Sequence, residues 1–67
     1  MQYGYVRAWD SQKGYGFIST DEEQDLFLHV SDLDVTLPAN DVRIGLKVKF
    51  DVRSDMKGDK AIRVRKA

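Results

Sequence analysis

Apolar and polar residues alternate strictly near the C-terminal end of the chain. Leu46, Val48, Phe50 and Val52 are interleaved with Lys47, Lys49, Asp51 and Arg53. A period of two is that of a strand with one buried face. Residues 60–65 repeat the pattern over a shorter run, with Ile62 and Val64 expected inward and Arg63 and Arg65 outward. Between the two runs lies Ser54-Asp55-Met56-Lys57-Gly58-Asp59, rich in turn-forming residues, so the pair is expected to make a C-terminal hairpin. The first half of the chain gives three more strands, at about 3–9, 14–19 and 25–30. Asp10 to Gly14 supplies the first turn and Asp21 to Gln24 the second, the latter kept in water by its charges. An apolar stripe at helical spacing is interrupted in every window of about 11 residues.

Residues 34–44 form the longest connection, with Pro38, Asn40 and Asp41 as turn formers, and Ser31-Asp32-Leu33 fits one helical turn closing the bottom of a barrel. Three strands, a long connection and two strands point to an all-β fold, a five-stranded antiparallel OB-fold Greek-key barrel. Residues 1–67 are expected to form a single domain.

The segment richest in chemistry is Lys13-Gly14-Tyr15-Gly16-Phe17-Ile18. In an extended strand Tyr15 and Phe17 share one face, and Gly16 and Ile18 the other. Ile18 belongs inside, so the two rings are expected to point outward. In Asp25-Leu26-Phe27-Leu28-His29 the same logic sends Leu26 and Leu28 inward and Phe27 and His29 outward. A core of aromatics would instead leave Ile18, Leu26 and Leu28 exposed. If the two strands pair across the Asp21–Gln24 turn, four rings lie side by side. Base stacking on such rings contributes roughly 1–3 kcal/mol per base and tolerates any base. Arg7, Lys13 and Lys57 are the candidate holders of backbone phosphates.

Composition narrows the alternatives. Cysteine is absent and His29 is the only histidine. Disulfides, thiolate metal sites and a histidine-rich zinc site are thereby excluded, and no metal or cofactor is expected. The acidic run from Asp21 to Asp25 reads as a solvated turn. No motif sets a Ser or Cys nucleophile beside His29, so no enzymatic activity is expected. There is neither an apolar run of about 20 residues nor a leader pattern, which leads us to expect a soluble, cytoplasmic protein. The formal charge is zero, from 11 basic and 11 acidic residues, where nucleic-acid binders usually carry an excess of bases. Yet the acids concentrate between Asp21 and Asp34 and the bases in the C-terminal half, so a basic face is compatible with a neutral total.

KGYGFI followed by DLFLH resembles the paired nucleic-acid motifs of the cold-shock domain. GYVRAWD is similar to that family's first strand, IGLKVKFDV to its fourth and KGDKAIRV to its last hairpin. The resemblance spans essentially the whole chain. It implies binding of single-stranded RNA or DNA with little sequence preference, and a possible role as an RNA chaperone. The alternatives are a protein-interaction barrel or a module of a larger protein. It also implies that Arg7, Trp9, Lys13, Tyr15, Phe17, Asp25, Phe27, His29 and Lys57 line the binding surface. Asp25 there acts as an acceptor toward a base edge. A monomer is expected, with an edge-strand dimer as the alternative. Three departures stand out. Ala8 then Trp9 replaces the usual Trp then Phe, Val30 follows the histidine where an aromatic is usual, and residues 34–44 hold no aromatic. Strict alternation puts Trp9 on the face of Tyr5 and Arg7, where it partly replaces the missing ring. Fewer stacked bases, a shorter footprint and lower affinity are expected than in typical members.

Overall fold

A computed structural model describes residues 1–56 and 58–67. Five strands, β1 (Gln2–Asp10), β2 (Tyr15–Thr20), β3 (Asp25–His29), β4 (Lys47–Asp55) and β5 (Gly58–Lys66), close into a barrel in the order β1-β2-β3-β5-β4. Each strand thus has two neighbours. Neighbours pair antiparallel except where β3 meets β5, a parallel contact at Phe27 and Lys60. Two short 3-10 turns, Val30–Asp32 and Ala39–Asp41, punctuate the long connection. The three-plus-two arrangement read from the sequence is the one observed.

The interior is aliphatic. Val6 of β1, Ile18 of β2, Leu26 and Leu28 of β3 and Val48 of β4 are all buried, and Phe50 is the one fully buried aromatic among the described residues. Leu37 and Val42, from the long connection, complete this core. Asp34 positions that segment. Its carboxylate accepts hydrogen bonds from the Thr36 hydroxyl (2.7 Å) and the Thr36 amide (3.1 Å). These bonds, the hydroxyl's first, hold the Asp34 carboxyl below its usual value. The Leu37 amide then closes the turn onto the Asp34 carbonyl at 2.9 Å.

Two irregularities break the expected alternation. In β5, Phe50 faces two residues, because Lys49 pairs with Arg65 but Asp51 with Ile62. Arg63 absorbs the extra residue in the left-handed region, at φ 52°. This bulge changes the phase. Ala61 and Val64 point inward and are fully buried, while Ile62, expected inside, is only half-buried. Val52, also expected inside, lies beyond the bulge and is exposed. The second bulge is in β1, where Val6 pairs with Ile18 but Ala8 with Phe17, leaving Arg7 as the extra residue.

The β1 bulge explains Gly16. A Cβ built there would lie 2.0 Å from the Ala8 carbonyl oxygen and 2.9 Å from the Trp9 Cα. The two backbones approach more closely than any side chain permits. We therefore expect Gly16→Ala to destabilise the barrel by about 1–3 kcal/mol or more, read as a lower midpoint in urea unfolding. An unchanged midpoint would show that β1 does not press on β2 at this point.

Candidate nucleic-acid interface

Because Ile18, Leu26 and Leu28 are fully buried, the intervening positions of β2 and β3 face outward. Register places Tyr15 opposite His29 and Phe17 opposite Phe27. Ring centroids of Tyr15 and Phe27 are 5.9 Å apart, those of Phe17 and Phe27 5.9 Å, and those of Phe27 and His29 6.3 Å. The Tyr15 and His29 planes lie within 31° of the Phe27 plane, whereas Phe17 meets Phe27 edge-on at 77°. Both are favourable aromatic geometries. Phe17 is 41% exposed. The other three rings are half-buried against one another, which fixes them in place.

Local hydrogen bonds aim the histidine. His29 caps the first 3-10 turn, its Nδ1 accepting from the Ser31 amide at 3.1 Å. An amide can only donate, so the proton of the neutral ring sits on Nε2. At this same end of β2, Asp10 accepts from the amides of Gln12 and Lys13, both at 3.0 Å. Gly14 then turns the chain with φ at 73°, and its carbonyl receives the Val30 amide at 2.8 Å. Lys13 is thereby held exposed beside the start of β2.

The remaining candidates divide. Arg7, thrown outward by the bulge, donates from Nη1 to Asp25 Oδ2, so the two form an exposed ion pair at the flank of Phe17. The sequence assigns Arg7 the role of a phosphate contact and Asp25 that of an acceptor toward a base edge. Each in fact occupies the other's charge. Trp9 is not on this face. The same bulge pairs it with Gly16, on the inner side, where it packs half-buried against the core. Strict alternation from Tyr5 predicts the opposite because it does not count the extra residue at Arg7. Lys57 lies outside the described residues.

Two depressions adjoin the rings. One, of about 340 Å³, is lined by Arg7, Ala8, Phe17 and Asp25. It lies where the small side chain of Ala8 stands opposite Phe17. The other, of about 730 Å³, runs between Phe17, Phe27 and His29 and a wall formed by Asp32, Asp55, Asp59 and Lys60. Lys60 reaches Asp32 at 3.5 Å. Asp59 is tied by Gln24 and Ser54, each at 3.1 Å. This acidic wall is assembled from distant parts of the chain and was not anticipated from the sequence. Among the described residues no group of three or more acids and histidines is arranged to hold a metal ion, and no helix is long and apolar enough to cross a membrane.

Comparison with known proteins places this geometry in a family. Residues 2–67 match the family model of the 'cold-shock' DNA-binding domain. The major cold shock protein of Streptococcus pyogenes serotype M6 is 38% identical over 66 residues, covering 98% of this chain and 97% of that protein. A cold shock-like protein of Thermotoga maritima is 37% identical over 62 residues, 92% of each chain. Cold shock protein CspC of Bacillus subtilis is 34% identical over 67 residues, the full length of both. An aromatic face on β2 and β3, an aliphatic barrel behind it and matches along nearly the whole chain lead to one conclusion: the chain belongs to the cold-shock DNA-binding domain family.

Proposed function

We propose that this chain binds single-stranded RNA or DNA with low sequence specificity, by stacking unpaired bases on Tyr15, Phe17, Phe27 and His29. The observation that carries this reading is the row of four rings turned to solvent over a barrel whose interior is already filled with aliphatic side chains. Ring faces accept any base, which accounts for low specificity. A strand held by its bases cannot pair with itself, and that is the physical basis of an RNA chaperone role. Nε2–H of His29 is available to donate to a base or phosphate oxygen, and Lys13 to hold a phosphate. The Arg7–Asp25 pair offers donors and acceptors to a base edge beside Phe17. The binding unit is a monomer in this reading, because closure gives every strand two partners.

The acidic wall favours a second reading, docking of a cationic protein segment against the rings. Anisotropy of a labelled oligothymidylate or oligouridylate separates the two. Saturable binding that weakens as salt rises supports the first reading, and no binding at low salt supports the second.

Phe17→Ala or Phe27→Ala should each weaken oligonucleotide binding by about 1–3 kcal/mol while leaving the circular dichroism spectrum of the barrel intact. Loss of the fold in both variants would make these rings structural and end the assignment. Lys13→Gln should reduce the slope of log affinity against log salt by about 0.7, the value of one phosphate contact on a single strand. An unaltered slope removes Lys13 from the phosphate path. Ala8→Trp fills the depression beside Phe17 with the ring usual in the family. It should tighten binding by roughly 1–3 kcal/mol, and equal affinities for the two proteins would show that no base reaches this position.

A further inference from the structure

The outer face of β1 and β4 carries a second set of exposed rings. Tyr3 is 47% and Tyr5 46% exposed, while Gly4 and Val6 between and after them are buried. These tyrosines therefore contribute little to the core. Register sets Tyr5 between Ser19 of β2 and Lys47 of β4. Tyr3 stands opposite Lys49, which stands opposite Arg65 of β5. Directly opposed residues of an antiparallel pair point to the same side. Two cross-strand rows thus hold two tyrosines and three cations, and the one carboxylate that the register adds to them, Asp25 opposite Ser19, is engaged by Arg7. The nearest acid on β4, Asp51, is engaged by the chain's terminal ammonium at 3.7 Å. The ammonium of Lys47 lies 5.9 Å from the Tyr3 ring centroid, within reach of a cation–π contact that steadies both side chains.

The strip is continuous with the aromatic platform. Ser19 follows Phe17 two positions along β2, on the same outward side, and Tyr5 is its partner on β1. Two residues of strand span about 6.5 Å, so a chain leaving Phe17 reaches Tyr5 after passing the Arg7–Asp25 pair that joins β1 to β3 beside Ser19. Charge selects this direction. On the β3 and β5 side the platform ends, among the described residues, at Asp55, Asp59 and the Asp32–Lys60 ion pair, a net-acidic border that disfavours phosphates. On the β1 and β4 side it ends at Lys47 and Lys49.

We propose that Tyr3, Tyr5, Lys47 and Lys49 form a second binding strip, which takes the same single strand as it leaves the platform. Tyr5 and Tyr3 stack its bases and the two lysines hold its phosphates. The inference rests on the platform reading and extends the footprint around the barrel, in place of the rings missing at Ala8, Val30 and the long connection.

The test compares two labelled oligothymidylates, one of about four nucleotides, enough for the platform alone, and one of about ten. The full chain carries Tyr3→Ser with Tyr5→Ser, or Lys47→Gln with Lys49→Gln, with Phe17→Ala as the platform control. The tyrosine pair variant should bind the long oligonucleotide about tenfold or more weakly and the short one as before. The lysine pair variant should lower the salt slope by about 1.4 for the long oligonucleotide only, two contacts at about 0.7 each. It also keeps the proposal falsifiable if the tyrosine variant melts early. Retention of long-oligonucleotide affinity and slope in both pair variants, while Phe17→Ala weakens both oligonucleotides, overturns the strip and leaves the platform standing. No effect of Phe17→Ala on either oligonucleotide overturns the platform and the strip with it. A drop in sedimenting mass of the free protein on substituting the tyrosines would make the strip a contact between copies and also overturn the proposal.

Discussion

The interior of a five-stranded barrel this small holds one layer of side chains, and in this chain aliphatic residues take it. Ile18, Leu26 and Leu28 are all fully buried. A register slip of one residue along β2 and β3 would turn all three to water and the aromatic residues inward. The slip loses the burial of three aliphatic side chains, about 1.5–3 kcal/mol each, and what the rings regain by burial is opposed by forcing larger side chains into the same space, since overpacking costs about 1–3 kcal/mol per site. The aromatic face is therefore a consequence of the core. Tyr15, Phe17, Phe27 and His29 stand outside because the positions between them cannot.

That link between core and face made the platform legible in the sequence. Alternation is local, and β2 and β3 obey it without interruption, so their outward residues follow from counting. The failures lie where counting breaks. Arg7 and Arg63 each insert one residue against the partner strand, and every side chain beyond them changes face. This is why Trp9 sits inside and Ile62 does not. Gly16 carries the trace of the first bulge, since the Ala8 carbonyl occupies the space of a Cβ there. A glycine facing inward between two outward rings is a sequence signal of close backbone approach. It reads easily as a mere spacer between the rings. Nothing comparable marks the second bulge.

Other parts were out of reach for a different reason. Leu37 and Val42 join the core from an irregular segment, where no period distinguishes an inward residue from an outward one. The Arg7–Asp25 pair and the acidic wall join residues far apart in sequence, and their assembly depends on the closure of the barrel. A charge count along the chain detects acids and bases but does not say which will be neighbours.

The zero net charge acquires a meaning only after closure. Electrostatic interactions in physiological salt fade over about 8 Å. Lys47 and Asp55 stand at opposite ends of β4, about 25 Å apart along the strand, and the barrel measures 25 × 23 × 19 Å. A phosphate beside Lys47 is therefore screened from Asp55, and the total charge of the protein is not the quantity it experiences. Long-range steering toward a polyanion is weak for such a molecule, so binding must rest on short-range contacts: stacking first, then the few lysines close to the rings. Neutrality and nucleic-acid binding are compatible because acids and bases border the platform on different sides, and the same separation gives a bound strand a preferred direction across it.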